Sequence, residues 1–280
     1  MRTLEQRTAI ITGASRGIGR SLALALGRAG ANTVLVARSF TDLEETTAEI
    51  RHQGSEVLTI PADVTDAVAQ AQIIQAALKR FGALDVLVNN AGQCDVAEFH
   101  TMDEKRIRQL LDVNLTAPLL LSRLALPHML QQRRGHIVMI ASVAGVVGTP
   151  VLDAYAASKA GMIGFARTLR SSYRGTGVSA SAICPGLVDE AGIYARVQQE
   201  TGVETPKFAG SVTPDQVAQA MLRAIRFDLA ELYVNSLPIR PMLLIQMLFP
   251  RMAEWLFPRL GADIYRHALR EYEHKMRLQS

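Results

Sequence analysis

Hydrophobic positions along this chain occur in two patterns. Short runs of apolar, often β-branched residues lie at 8–11, 33–36, 57–60, 84–88, 136–140, 178–183 and 232–234, with little polar alternation. Longer segments with apolar residues at helical spacing, or rich in Ala and Leu, fill 17–30, 41–53, 67–81, 103–131, 154–173 and 214–227. A strand that is apolar on both faces must be covered on both faces, and a helix between successive strands supplies the cover. With right-handed crossovers the expected fold is α/β: a three-layer, doubly wound parallel sheet of about seven strands, of Rossmann type. The pattern changes after about Asn235, where Pro, Met and Arg become frequent. Prolines at 238, 241, 250 and 258 divide that stretch into short helical pieces. Residues 1–235 therefore read as one nucleotide-binding-type domain, and 236–280 as an amphipathic helical extension.

Composition narrows the class. With 280 residues and 49% hydrophobic content, the chain can bury a large core, which excludes disorder, collagen and a disulfide scaffold. Cys94 and Cys184 are the only cysteines, which suits a reducing cytosol. The polar start and the short apolar stretch at 9–11 do not form a signal peptide. No window holds about 20 uninterrupted apolar residues, so no spanning helix is expected. The net charge of +4 is too small to suggest a nucleic-acid partner, and it is unevenly placed. Residues 237–280 hold seven Lys/Arg and four Asp/Glu, which leaves the rest of the chain almost neutral.

The first strand runs into Thr12-Gly-Ala-Ser-Arg-Gly-Ile-Gly19, with glycines at 13, 17 and 19. A glycine turn between strand and helix lets the backbone approach a pyrophosphate, and the helix start offers free N–H groups and a positive dipole end. No Lys-Ser/Thr follows, so this is not a Walker loop. An NAD site usually carries an acid about 20 residues on, at the end of the second strand, to bind the ribose 2′-hydroxyl. This strand ends Val36-Ala37-Arg38-Ser39 instead. Arg38, with Arg16 in the loop, suits a 2′-phosphate, so NADP(H) is expected over NAD(H).

Tyr155 and Lys159 are four residues apart and share a helix face. An ammonium beside a phenol stabilises the phenolate, which would let Tyr155 exchange a proton near neutral pH. Ser142 follows an apolar strand, where open α/β sheets bind ligands, and its hydroxyl can orient a carbonyl. It lacks the Gly-x-Ser-x-Gly elbow of an esterase. The six histidines show no metal spacing, and no metal is expected.

Taken in order, Thr12–Gly19, Asp63-Val64, Asn89-Asn-Ala-Gly92, Asn114, Ser142, Tyr155-x-x-x-Lys159 and Pro185-Gly186 resemble the short-chain dehydrogenase/reductase family from Thr8 to about Val234. The resemblance implies a catalytic set of Asn114, Ser142, Tyr155 and Lys159. Tyr155 would be the acid/base and Ser142 the carbonyl-orienting group. Lys159 would also hold the nicotinamide ribose. Asn114 would kink its helix and hold a water that links Lys159 to solvent. Cofactor contacts would come from Gly13, Ser15, Arg16, Gly17, Ile18 and Gly19, from Arg38, and from Asp63 and Val64 at the adenine. Asn90, Ala91, Gly92, Val113, Tyr155, Lys159, Pro185, Gly186 and Val188 would complete them. Where the family often has Thr after Pro-Gly-x-Val-x, this chain has Glu190.

The segment 187–212 is expected to cover the substrate, with Leu187, Val188, Ile193, Tyr194, Val197 and Phe208 as an apolar lid. In the extension, Leu244, Leu248, Met252 and Trp255/Leu256 fall on one helical face, while Arg251, Arg259, Arg266 and Arg270 could lie on the other. Met, Phe and Trp opposite arginine suit a membrane surface, a pocket lid or a subunit interface. The expected function is an NADPH-dependent carbonyl reductase or alcohol dehydrogenase acting on an apolar or lipid-like ketone. The expected form is a homodimer or homotetramer, cytoplasmic, with peripheral membrane contact through 237–280. The alternative is a non-catalytic NADP-sensing or scaffold protein on the same fold.

Overall fold

A computed structural model describes residues 3–189, 211–236 and 238–256, together with 266 and 270. The strands are β1 (Thr8–Thr12), β2 (Asn32–Ala37), β3 (Val57–Pro61), β4 (Val86–Asn89), β5 (Gly135–Ile140), β6 (Val178–Pro185) and β7 (Glu231–Val234). They form one parallel sheet in the order β3-β2-β1-β4-β5-β6-β7. The order reverses beside β1, which pairs with β2 on one side and β4 on the other. That reversal opens a crevice at the carboxyl ends of the strands, where this topology places ligands.

The continuous apolar runs are explained by burial on both faces. In β1, Ala9 and Ile11 face one core while Ile10 faces the other. The first core receives α1 (Gly17–Arg28), α2 (Phe40–His52) and α7 (Pro214–Phe227) through Leu22, Leu43, Ile50 and Val217. The second receives α3 (Ala67–Phe81), α5 (Ala117–Gln131) and α6 (Asp153–Ser172) through Ile73, Leu121 and Met162. Each such Leu or Ile contributes about 1.5–3 kcal/mol relative to exposure.

Local signals set the helix ends. Ser39 and Asp66 cap α2 and α3, and Gly82 ends α3 in the left-handed region. Thr213 and Gln216 form a reciprocal capping box on α7.

The helix expected over 103–131 differs from a regular one. It consists of α4 (Glu104–Leu111), a wide turn of π type at Asp112–Thr116, and α5. The extra residue in that turn lets the Asn114 side chain reach the loop after β4 instead of standing in register with its neighbours. By length and composition Glu104–Gln131 could cross a membrane, but half of its apolar window is buried, and α5 packs on α3, β4 and β5. It is a core helix.

After β7, α8 (Ile239–Leu248) and α9 (Pro250–Leu256) follow. Phe249 separates them, because the residue before a proline is disfavoured in the α region. Ala253 is buried against Val147, with Met242, Leu243, Ile245 and Leu256 around it. The helix pair thus packs on the turn that follows β5.

Candidate active site

A cleft of about 1770 Å³ opens at the carboxyl ends of β1, β4 and β5. Its floor is a backbone junction. Thr12 Oγ1 accepts hydrogen bonds from the N–H groups of Asn90 (3.0 Å) and Ala91 (3.1 Å) and donates to the Val88 carbonyl. Asn90 Nδ2 donates back to the carbonyls of Thr12 (2.9 Å) and Gly13 (3.1 Å). This close packing explains two of the glycines. Gly13 has φ +67°, and a Cβ there would lie 2.9 Å from Ala91 Cα. A Cβ on Gly19 would lie 1.9 Å from the Gly13 carbonyl oxygen. The chain needs them to pack on itself, whatever ligand is bound.

The start of α1 supplies the ligand-facing chemistry. Its N-cap, Arg16, makes no capping hydrogen bond, and no acid occupies the first turn. Gly17, Ile18 and Gly19 line the cleft there with Ser15. Unclaimed N–H groups at a positive helix end fit an anionic diphosphate. Arg16 and Arg38 are exposed on the same rim. Asp63 Oδ1 accepts from Thr65 N–H (2.9 Å) and Thr65 Oγ1 (2.8 Å). These bonds, with Arg38 nearby, hold its carboxyl below the usual range despite partial burial. Ser39, Asp42 and Thr65 also line this end. Sequence reasoning did not select them, although the positions just after β2 and β3 were the available signal.

Tyr155 and Lys159 lie one turn apart on α6, and both are buried. Lys159 Nζ donates to the Ile140 carbonyl (2.9 Å), touches Met162 Sδ (3.5 Å) and stands 5.6 Å from the Tyr155 ring centre. Burial, the largest influence, pushes the Tyr155 hydroxyl well above its ordinary pKa. The Cys94 and Cys184 thiols reinforce this, and hydrogen bonding to Ser142 opposes it. Burial lowers Lys159 to about 8, opposed by the same two thiols. Burial thus works against the lysine-stabilised phenolate that the spacing suggests.

Ser142 follows β5 in an extended conformation. Its Oγ accepts from Ala144 N–H (3.1 Å) and donates to the Pro185 carbonyl (3.5 Å). Asn114 is wholly buried in the wide turn. Its Oδ1 accepts from Gln93 N–H (2.7 Å), and its Nδ2 donates to the Gln93 carbonyl (2.8 Å) and Ser158 Oγ (3.2 Å). Ser158 Oγ in turn donates to the Tyr155 carbonyl (2.6 Å). Asn114 thus ties the loop after β4 to the helix that carries Tyr155 and Lys159. Gly92 sits between, its Cβ position 3.3 Å from Asn114 Oδ1 and 3.6 Å from Lys159 Nζ.

The cleft brings together most of the expected residues: the glycine loop, Arg38, Asp63, Val64, Asn90, Ala91, Gly92, Val113, Tyr155 and Lys159. Asn114 lies beneath it. Ser142, Pro185, Gly186 and Val188 do not line the cleft itself. Gly186 packs against Asn235, 2.1 Å from Oδ1 to its Cβ position, and Val188 bridges to Val212. Glu190 and the lid residues Ile193, Tyr194, Val197 and Phe208 lie outside the described residues, as does Arg259. Gln93 and Cys94, which follow the Asn-Ala-Gly segment, also line the cleft, whereas Ser158 and the Ile140 carbonyl were not selected from sequence. Backbone acceptors carry no side-chain signature, and Ser158 gains its role only from the turn at Asn114. A second recess of about 830 Å³ opens at the other end of β5 and β6, far from Tyr155 along the strands. Four of its five arginines pair with acids: Arg7 and Arg134 with Asp85, Arg167 with Glu231 and Arg170 with Asp228.

Comparison with known proteins agrees with this geometry. Residues 7–201 match the profile of the short chain dehydrogenase family. Ketoacyl reductase HetN of Nostoc sp. is 38% identical over 239 residues, which cover 85% of this chain and 82% of that protein. The 3-oxoacyl-(acyl-carrier-protein) reductase of Synechocystis sp. is 34% identical over 237 residues, 84% of this chain and 95% of its own. The crystal structure of a metagenomic short-chain oxidoreductase in complex with NADP aligns with a TM-score of 0.70 at 32% identity, covering 82% of this chain and 97% of that one. A match of this extent, carried on this strand order, makes the chain a member of the short-chain dehydrogenase family, oxidoreductases that act on CH–OH and C=O groups with a nicotinamide dinucleotide.

Proposed function

We propose that this oxidoreductase is an NADPH-dependent carbonyl reductase for apolar, lipid-like ketones, running in reverse as an alcohol dehydrogenase. One observation carries the reading: Tyr155 is buried at the cleft wall with Lys159 one turn away on the same helix, its Nζ 5.6 Å from the Tyr155 ring centre. A phenol with an ammonium beside it can give its proton to a carbonyl oxygen, because the ammonium offsets the charge left behind.

The dinucleotide supplies the hydride. Ser142 orients the substrate carbonyl oxygen, and Tyr155 gives its proton to that oxygen. Lys159, mostly charged at neutral pH, offsets the negative charge left on Tyr155 and holds the ribose. Asn114 is a positioning residue that fixes α6 relative to the loop after β4. The helix start at Gly17 takes the diphosphate, Arg16 and Arg38 take the 2′-phosphate, and Asp63 with Val64 flanks the adenine. The neighbour bound to NADP supports this cofactor choice, and the ketoacyl and 3-oxoacyl reductase relatives support a substrate that carries an oxo group on an acyl chain. Buried Cys94 and Cys184, not joined in a disulfide, suit a cytoplasmic site of action. A homodimer or homotetramer through α4–α5 and α6 is part of the same reading.

The test is Tyr155→Phe, assayed by NADPH fluorescence titration and by NADPH oxidation with a panel of ketones. Binding should be retained while turnover falls by about 10²–10⁴-fold. Surviving turnover would reject the mechanism. A wild-type protein that binds NADPH but reduces no ketone would point to the sensor or scaffold alternative. In the same assay Arg38→Asp should narrow or reverse the NADPH-over-NADH preference in kcat/KM; an unchanged ratio would refute the 2′-phosphate assignment.

A further inference from the structure

Exposed large apolar side chains are concentrated in one place. Of eleven among the described residues, six fall within 244–255: Leu244, Met247, Leu248, Phe249, Met252 and Trp255. Met247 is 80% exposed, Leu248 67% and Trp255 60%, whereas Ala253 on the inner side is 3% exposed. The two helices therefore have opposite uses for their two sides. The inner side is fixed to Val143, Val146 and Val147 by Met242, Leu243, Ile245 and Leu256. The outer side leaves Leu244, Met247, Leu248, Phe249, Met252 and Trp255 in solvent. A contiguous apolar surface of this kind marks an interaction face, since soluble monomers rarely expose large ones.

Charge identifies the occupant. Residues 237–280 hold seven Lys/Arg against four Asp/Glu, while the rest of the chain is almost neutral. Arg240 and Arg251 are exposed in the helix pair beside a single exposed acid, Glu254, and Arg270 is exposed beyond it. A second copy of the chain would bring the same positive charge against itself across a twofold axis, which opposes association. A bilayer with anionic headgroups takes both features at once: acyl chains for the apolar side chains and phosphates for the arginines.

We propose that the outer side of α8 and α9 docks on an anionic lipid bilayer, with Met247, Leu248, Phe249 and Trp255 entering the headgroup–acyl boundary. Because the inner side packs on the turn after Ser142, docking holds that turn about one helix diameter, roughly 10 Å, from the lipid surface. The inference does not depend on the identity of the substrate.

Trp255 is the only tryptophan in the chain, so its fluorescence reports on this surface directly. The full chain is titrated with phosphatidylcholine vesicles, with or without one-third phosphatidylglycerol, and bound protein is separated by flotation. A blue shift and flotation with the anionic vesicles, both weakened by salt, are expected. Met247→Glu combined with Leu248→Glu should lower partitioning at least about tenfold, with the wild-type Tm and NADPH binding retained. No shift with either vesicle, or equal flotation of wild type and variant, overturns the proposal. Equal partitioning onto neutral vesicles overturns its electrostatic part. Concentration-dependent dimerisation that shifts the Trp255 emission without vesicle binding assigns the surface to a second copy, and also overturns it.

Discussion

Lys159 carries the sharpest conflict between stability and function. Its amine is buried, with the Ile140 carbonyl as its oxygen acceptor at 2.9 Å, and its pKa falls to about 8. In the free enzyme the charge on Lys159 is lost as pH rises through that value, and kcat/KM reports free-enzyme groups. Ketone reduction should accordingly show kcat/KM declining above about pH 8; a flat profile to pH 9.5 would contradict the role of the charge. Stability moves the other way. The unfolded chain, with an ordinary lysine near 10.5, binds more protons between about pH 8 and 10.5, so this group's contribution to stability increases across that window. At this scale the placement of Tyr155 and Lys159 on one helix face was legible, because a four-residue spacing is a local signal. The direction in which burial moves the Tyr155 hydroxyl was not, since it depends on residues distant in the chain.

Among the elements, the same substitution has opposite outcomes at two helical glycines. Gly19 in α1 has the Gly13 carbonyl oxygen 1.9 Å from its Cβ position, a backbone atom that cannot rotate away. Gly19→Ala should unseat the glycine loop from Asn90, lowering Tm by several degrees and weakening NADPH binding. Gly164 in α6 is exposed and has nothing within 4 Å of its Cβ position. Gly164→Ala should stabilise by about 0.5–1 kcal/mol through helix propensity alone. Paired thermal melts and NADPH titrations check both, and equal shifts would contradict the packing role of Gly19. The strands were legible almost to the residue, because apolar runs bounded by turn residues need no long-range knowledge. The wide turn at Asp112–Thr116 was not, because its cause is the bond from Asn114 to Gln93, 21 residues away. The resemblance did imply a helix kink at Asn114, and the wide turn lies there.

For the molecule as a whole, stability in acid depends on a group outside the cleft. His136 lies buried in β5, with Nε2 2.8 Å from Ser181 Oγ on β6. Burial holds its pKa at about 4, with Asp228 acting in the opposite direction. An unfolded histidine near 6.5 binds more protons between those values, so the stability contributed by neutral His136 is present above about pH 6.5 and is lost as pH falls toward 4. Denaturant melts at pH 7.5 and 5.0 should show a loss at the lower pH, and His136→Gln should reduce the difference between them. An equal pH dependence in both proteins would place the acid sensitivity elsewhere.

By itself the sequence determined the alternation of strands and helices, the glycine loop, the Tyr155–Lys159 pair and the basic, apolar character of 237–280. Each of these is written in spacing or composition over a few residues. Tertiary structure alone decided that Gly13 and Gly19 are required by the packing of the loop on Asn90 and Ala91. It also decided that burial raises the Tyr155 hydroxyl above its ordinary pKa, and which side of α8 and α9 is exposed. The physical reason is common to all three: desolvation and steric contact are set by atoms that meet only when distant parts of the chain are folded together.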